Sequence, residues 1–175
     1  MSARDASAVI VRAHLPPALE ELRRAWVKDA ERGLPAHLTL LSPFVRAGEL
    51  DAALRRRLAT VVARHLAFDY HLVGPKASAD TIYAGVDSER PFLELHRDLA
   101  TEFPEYPIYE GKGGALVPHV TVASGRGAIK DRGLIEDRAW HALPTRRRAH
   151  SIELIAPGPD RRWATVWRFR LPTID

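Results

Sequence analysis

The sequence predicts an α+β fold of two similar lobes related by a pseudo-twofold axis. Three observations carry this expectation. Hydrophobic periodicity switches repeatedly between the two-residue repeat of strands and the 3.6-residue repeat of helices. A strand-like His-x-Thr string occurs twice, at His37 and at His119, 82 residues apart. The elements around both copies recur in one order, helix, His-x-Thr strand, helix and strand pair, which reads as an internal duplication.

The apolar run from Ser7 to Ala13 has the length of a strand. Pro16 to Arg32 reads as a helix, with Leu15, Leu19, Leu22 and Trp26 at helical spacing and Gly33 as its stop. In the string from His37 to Leu41, alternation sets His37, Thr39 and Leu41 on one side and Leu38 and Leu40 on the other, and Pro43 closes the strand. Glu49 to His65 follows as a helix whose stripe is Leu50, Leu54, Leu58, Val61 and Val62. Strands at Phe68 to Val73 and Thr81 to Asp87 complete a first half, about residues 1–87.

The second half, about 88–175, opens with a helix from Pro91 to Phe103, with Phe92, Leu95 and Leu99 on one face. A long Pro- and Gly-rich loop, Pro104 to Pro118, leads into the strand His119 to Ala123. A short helix around Ile129 to Asp137 and strands at Arg148 to Ile155 and Trp163 to Leu171 close the chain. The 82-residue offset carries Thr81 onto Trp163, so the last strands of the two halves are expected to be equivalent. No low-complexity linker separates the halves, and residues 1–175 are expected to form a single bilobal domain and a monomer.

Composition narrows the chemistry. The chain has no cysteine, which removes thiol nucleophiles, disulfides and Cys-based zinc sites. Lys and Arg number 26 against 22 Asp and Glu, an excess that suits an anionic ligand without requiring one. No apolar run approaches the roughly 20 residues of a membrane-spanning helix. The N-terminus reads as a first strand and not as a leader, so a cytoplasmic protein without membrane association is expected.

Residues i and i+2 of a strand face the same way, so each His-x-Thr offers an imidazole and a hydroxyl side by side. Leu38 and Leu40, or Val120 and Val122, anchor the opposite face. If the two strands are related by a twofold axis, the four polar side chains meet in one cleft that suits a tetrahedral oxyanion. Histidine titrates near pH 6.5, so one ring can take a proton while the other gives one. On a cyclic phosphodiester, His37 and His119 would serve as general base and acid, in an order the sequence leaves open. Thr39 and Thr121 would bond the non-bridging oxygens. Chance supplies roughly 0.4 such strings in a chain of this composition. The second copy, the strand-like setting of both and the prolines close upstream (Pro35 and Pro118) set the pair apart.

The strings PAHLTLLSPF and VPHVTVASG resemble the two motifs of the 2H phosphoesterase superfamily. The chain is similar to the bacterial 2′-5′ RNA ligase and cyclic phosphodiesterase branch of that superfamily. The likeness extends to TIYAGVDSERPFLELHRDL and FPEYPIYEGKGGALVPHVTVA. It implies two antiparallel sheets with helices packed outside and a central water-filled cleft, with His37, Thr39, His119 and Thr121 in the family's signature positions. It also implies a reaction without metal or cofactor: hydrolysis of a 2′,3′-cyclic phosphate, on a nucleotide or an RNA end, to a 2′-phosphate, with RNA ligation as a second activity of the same acid–base pair. Related ligases often carry a basic residue soon after the second motif. Ser124 stands there in this chain, and Arg126 is the nearest substitute. The alternative is an RNA- or nucleotide-binding module that uses the same cleft without turnover.

Three further residues are candidates for substrate contact. Phe44 stands just past the first motif, where an aromatic face could stack on a base, or it belongs to the core. Tyr83 either lines the cleft or fills a core. Lys112 could reach a phosphate from its Gly-rich loop, although that loop lacks nucleotide-loop spacing and precedes a strand. The histidines at 14, 65, 71, 96, 141 and 150 show no paired metal spacing, so core or solvent roles are expected and a di-histidine metal centre has little support. The basic runs Arg55 to Arg57 and Arg146 to Arg148 would track an RNA backbone or simply face solvent.

Overall fold

A computed structural model describes residues 5–107 and 115–174. The N-terminal apolar run forms β1 (Ala8–Arg12), and α1 (Pro17–Trp26) follows it with a proline in its first turn. The helix is shorter than the sequence predicts because Val27 turns extended and residues 28–33 form turns. β2 (His37–Leu41) carries the first motif. A 3-10 turn at Ala47–Glu49 precedes α2 (Ala52–Val62), whose start is fixed by the Asp51 carboxylate accepting from the Leu54 amide at 2.7 Å. β3 (Phe68–Ala77) runs past Gly74 and Pro75 through an irregularity in its pairing with β4 (Thr81–Val86). Then come α3 (Arg90–Glu102), β5 (His119–Ser124), α4 (Arg126–Lys130), α5 (Arg132–Trp140), β6 (Thr145–Ala149), β7 (Ser151–Pro157) and β8 (Trp163–Arg170).

The strands make two antiparallel four-stranded sheets, ordered β2-β1-β7-β8 and β5-β4-β3-β6. Two expectations are corrected by this order. The run from Arg148 to Ile155 is not one strand: the chain leaves one sheet at Ala149 and enters the other at Ser151. The expected equivalence of the last strands of the two halves fails as well, because each sheet takes two strands from each half. In consequence β8 is not the counterpart of β4. Beside each motif strand sits β1 in one sheet and β4 in the other, so the repeated unit is β1-α1-β2 and β4-α3-β5.

Each unit's helix crosses to the other sheet. α1 packs on β5 and beside α5, whereas α3 packs on β2 and beside α2. His96 of α3 bonds the Leu40 carbonyl of β2 through Nδ1 at 2.8 Å, and Ser124 of β5 donates to the Trp26 carbonyl of α1 at 3.4 Å. The main core is continuous between these layers. It joins Val9, Val11, Leu38 and Leu40 of one sheet to Tyr70, Leu72, Ile82, Ala84, Val120 and Val122 of the other through α1, α2, α3 and α5. Among the described residues no helix is long and apolar enough to cross a membrane.

Candidate active site

Because each motif strand buries Leu38 and Leu40, or Val120 and Val122, in the core, His37, Thr39, His119 and Thr121 are turned to the opposite, half-buried face. β2 and β5 are edge strands that lie against each other across the molecule, so the two faces meet. The two histidines are held identically. His37 Nδ1 bonds the Pro35 carbonyl at 2.7 Å, and His119 Nδ1 bonds the Val117 carbonyl at 2.7 Å. A carbonyl can only accept, so Nδ1 carries the proton of the neutral ring and Nε2 is left for the cleft. Neither threonine hydroxyl has a partner among the described residues.

Their surroundings differ. Desolvation at His37 outweighs the Pro35 hydrogen bond and, with the nearby charges of Arg23, His119 and Arg12, lowers its pKa from 6.5 to about 4. That His119 and Arg12 both act on His37 agrees with a compact cationic site. Arg12 stands opposite His37 in the β1–β2 ladder, and Gly85 stands opposite His119 in the β4–β5 ladder. Register partners share a face. The missing side chain at Gly85 is replaced by Lys76 of β3, whose Nζ lies 3.4 Å from where a Cβ would stand. The first motif thus has Arg12 beside it from the paired strand β1, whereas the cation beside the second, Lys76, reaches in from β3.

Arg12 is fixed by a buried carboxylate. Glu153 is 1% exposed and accepts from Arg12 Nε (3.1 Å) and Nη2 (2.8 Å), Arg168 Nε (3.0 Å) and Thr165 Oγ1 (2.8 Å). Burial alone would raise the pKa of Glu153, but these hydrogen bonds and the two guanidinium charges outweigh it and hold it below the usual carboxylate value. Sequence reasoning missed Arg12, Lys76, Glu153, Thr165 and Arg168. A usable signal was present for Glu153, the one carboxylate inside the apolar run of β7, because a buried charge there requires cationic partners.

The remaining candidates divide. Tyr83 is opposite Thr121 in register, and its ring centroid lies 4.9 Å from that of His119, so the structure brings it to the site. Phe44 is corrected: it is fully buried, edge-on to Phe103 at 5.2 Å and to Tyr106 at 4.9 Å, because the turn after β2 folds back and pairs its amide with the Ser7 carbonyl at 2.8 Å. It cannot stack on a ligand. Arg126 is exposed at the start of α4, beyond the end of β5 opposite to His119, and is not brought to the other candidates. Lys112 lies outside the described residues. Arg57 lies over the Phe103 ring at 4.3 Å and bonds Glu102, which explains one of the basic runs structurally. Among the described residues no group of three His, Cys, Asp or Glu side chains is arranged to hold a metal ion.

Residues 11–156 match the family model of the 2′-5′ RNA ligase superfamily. A solved phosphoesterase superposes with a TM-score of 0.58 at 18% identity, covering 96% of this chain and 98% of that one. LigT of E. coli, complexed with 3′-AMP, superposes with a TM-score of 0.56 at 18% identity, over 95% and 98% of the two chains. TT0787 of Thermus thermophilus gives 0.54 at 16% identity, over 97% and 100%. These likenesses show the two-sheet fold. No curated protein sequence matches this one.

Proposed function

The chain belongs to the 2′-5′ RNA ligase superfamily, and on that premise we propose that its cleft hydrolyses a 2′,3′-cyclic phosphate, on a nucleotide or an RNA end, to a 2′-phosphate by two-histidine acid–base catalysis. The observation that carries this reading is the matched setting of the rings. Both imidazoles bond a carbonyl two residues upstream through Nδ1, which leaves Nε2 without a partner among the described residues, and both have a threonine hydroxyl two residues on.

His37 is neutral near pH 7 and is assigned as the base. Its Nε2 takes a proton from water as the water oxygen bonds to phosphorus. The bond from phosphorus to the ribose 3′ oxygen breaks, and His119, protonated at Nε2, gives that oxygen its proton. One proton is taken and one given, so the pair is reset by exchanging a proton with solvent. Thr39 and Thr121 donate to the non-bridging oxygens, and Arg12 and Lys76 balance the charge that accumulates there. Tyr83, packed on the His119 ring, limits its rotation. With the 5′ hydroxyl of a second strand in place of water, the same groups would open the cyclic phosphate to a 2′-5′ linkage, the hydroxyl proton going to His37 and the 3′ oxygen leaving with a proton from His119. The choice of the 3′ oxygen as leaving group rests on the family.

The test is product-resolved hydrolysis of 2′,3′-cyclic nucleotides by the wild type, His37→Ala and His119→Ala. Each substitution is expected to lower kcat by about 10²–10⁴-fold, the usual contribution of a positioned acid or base. Equal rates in all three proteins would refute the reading. Nucleotide binding without any product would favour a binding module.

A further inference from the structure

We propose that the cavity on the far side of Arg12 from His37 is a subsite for a second phosphate of the substrate, attached 5′ to the ribose that carries the cyclic phosphate. The inference rests on the reaction proposed above and adds the substrate class to it.

The cavity measures about 170 Å³ and is lined by Arg12, Arg148 and Arg168, by His14 and His150, and by Glu153. Sites for whole ligands run to about 300–1,000 Å³. This one is sized for a single group and not for a complete nucleotide. Its lining carries three guanidiniums against one carboxylate. Asp69, outside the lining, pairs with Arg148 at 3.3 Å and with Arg146 at 2.7 Å, and still leaves the cavity cationic.

The guanidiniums are also aimed. Glu153 engages Arg12 through Nε and Nη2 and Arg168 through Nε. Arg12 Nη1 and both terminal nitrogens of Arg168 have no partner among the described residues. A buried carboxylate that fixes two arginines by one edge and leaves the rest of each fork open makes an anion cradle with its orientation already set.

Position supplies the link to the reaction. Arg12 faces His37 across one strand spacing, about 4.8 Å. The cavity continues from Arg12 toward β7 and β8, away from the motif strand. In the proposed pose a phosphate one ribose away from the reacting phosphorus occupies it. Arg12 then serves both phosphates, a task that suits the several donors of a guanidinium better than a single ammonium.

Three substrates separate the possibilities: a nucleoside 2′,3′-cyclic phosphate, its 5′-phosphorylated form, and a cyclic-ended dinucleotide with an internucleotide phosphate at the 5′ position. The wild type is expected to favour one or both of the latter about tenfold in kcat/KM, and the preference is expected to shrink as KCl is raised. Which of the two is favoured tells a terminal phosphate from a strand. In Arg168→Gln the ratio is expected to fall toward one. The Arg168 side chain is 61% exposed, and Glu153 keeps its bonds from Arg12 and Thr165 in the variant.

A second measurement does not depend on turnover. Calorimetric titration with a nucleoside 2′,5′-bisphosphate and with the matching 2′-monophosphate should show about tenfold tighter binding of the bisphosphate, lost in Arg168→Gln. Turnover of all three cyclic substrates without preference, and equal binding of the two products, would overturn the subsite while leaving the reaction standing. Tighter bisphosphate binding with no turnover would keep the subsite and refute the reaction.

Discussion

His37 sits deep enough that removing water from its ring outweighs the carbonyl of Pro35, and its pKa falls from 6.5 to about 4. Two consequences follow at the scale of this residue. As a base acting on free substrate it is competent until it protonates, so the acid limb of kcat/KM is expected well below pH 6.5, nearer 4. The bound anion favours the imidazolium, so the acid limb of kcat is expected at higher pH than that of kcat/KM. Initial rates on a cyclic nucleotide across pH 4–9 check both, and a kcat/KM limb at or above 6.5 would assign the acid limb to another group. The second consequence concerns stability. Between pH 6.5 and 4 the unfolded chain binds a proton at this position that the folded chain refuses, so stability falls as the pH drops through that window. The loss is on the order of 3 kcal/mol for a shift of this size. His37→Gln removes it, so urea unfolding of the two proteins at pH 7 and pH 4.5 should show the variant losing less stability.

The elements show why part of this site could be read from the sequence and part could not. Strand alternation is local, so the shared face of His37 and Thr39, and of His119 and Thr121, was legible. Pairing partners are not local. The run from Arg148 to Ile155 is continuous in pattern, and nothing in it announces that β6 and β7 belong to different sheets. Arg12 and Lys76 were therefore invisible as site residues, because their neighbours are set by register with strands far away in sequence. For Phe44 the pattern left base stacking and the core both open, and the turn after β2 decides for the core. The crossing helices carry a prediction at this scale. β2 is an edge strand, and its buried Leu40 carbonyl points away from the sheet to His96 of α3. His96→Ala leaves that acceptor without its partner and is expected to cost about 1–3 kcal/mol in urea unfolding. His141→Ala, whose ring bonds a carbonyl within its own exposed turn, is the control and should change stability little.

Across the whole molecule, the interleaving of the two halves determines what can fold alone. Residues 1–87 contain β1 and β2, which pair with each other, and β3 and β4, which pair with each other, but the two pairs belong to different sheets. Two isolated strands are at best marginal in water, and three or more with a covered face are needed for independent stability. In this fragment α1 lacks β5 and α5, and α2 lacks α3 and β8, so neither helix finds the surface it packs on. The fragment 88–175 has the converse deficit, with β5 and β6 lacking the two strands that separate them. Each half taken alone is therefore expected to stay unfolded, while the full chain melts as one unit. Tryptophans in α1, α5 and β8 report on both sheets. Their fluorescence and the far-ultraviolet circular dichroism should give one urea midpoint for the full chain, and mixing the two fragments should restore part of both signals. A cooperative transition in residues 1–87 alone would mean that the duplicated half is a folding unit, and that the sheets are joined less tightly than their shared core implies.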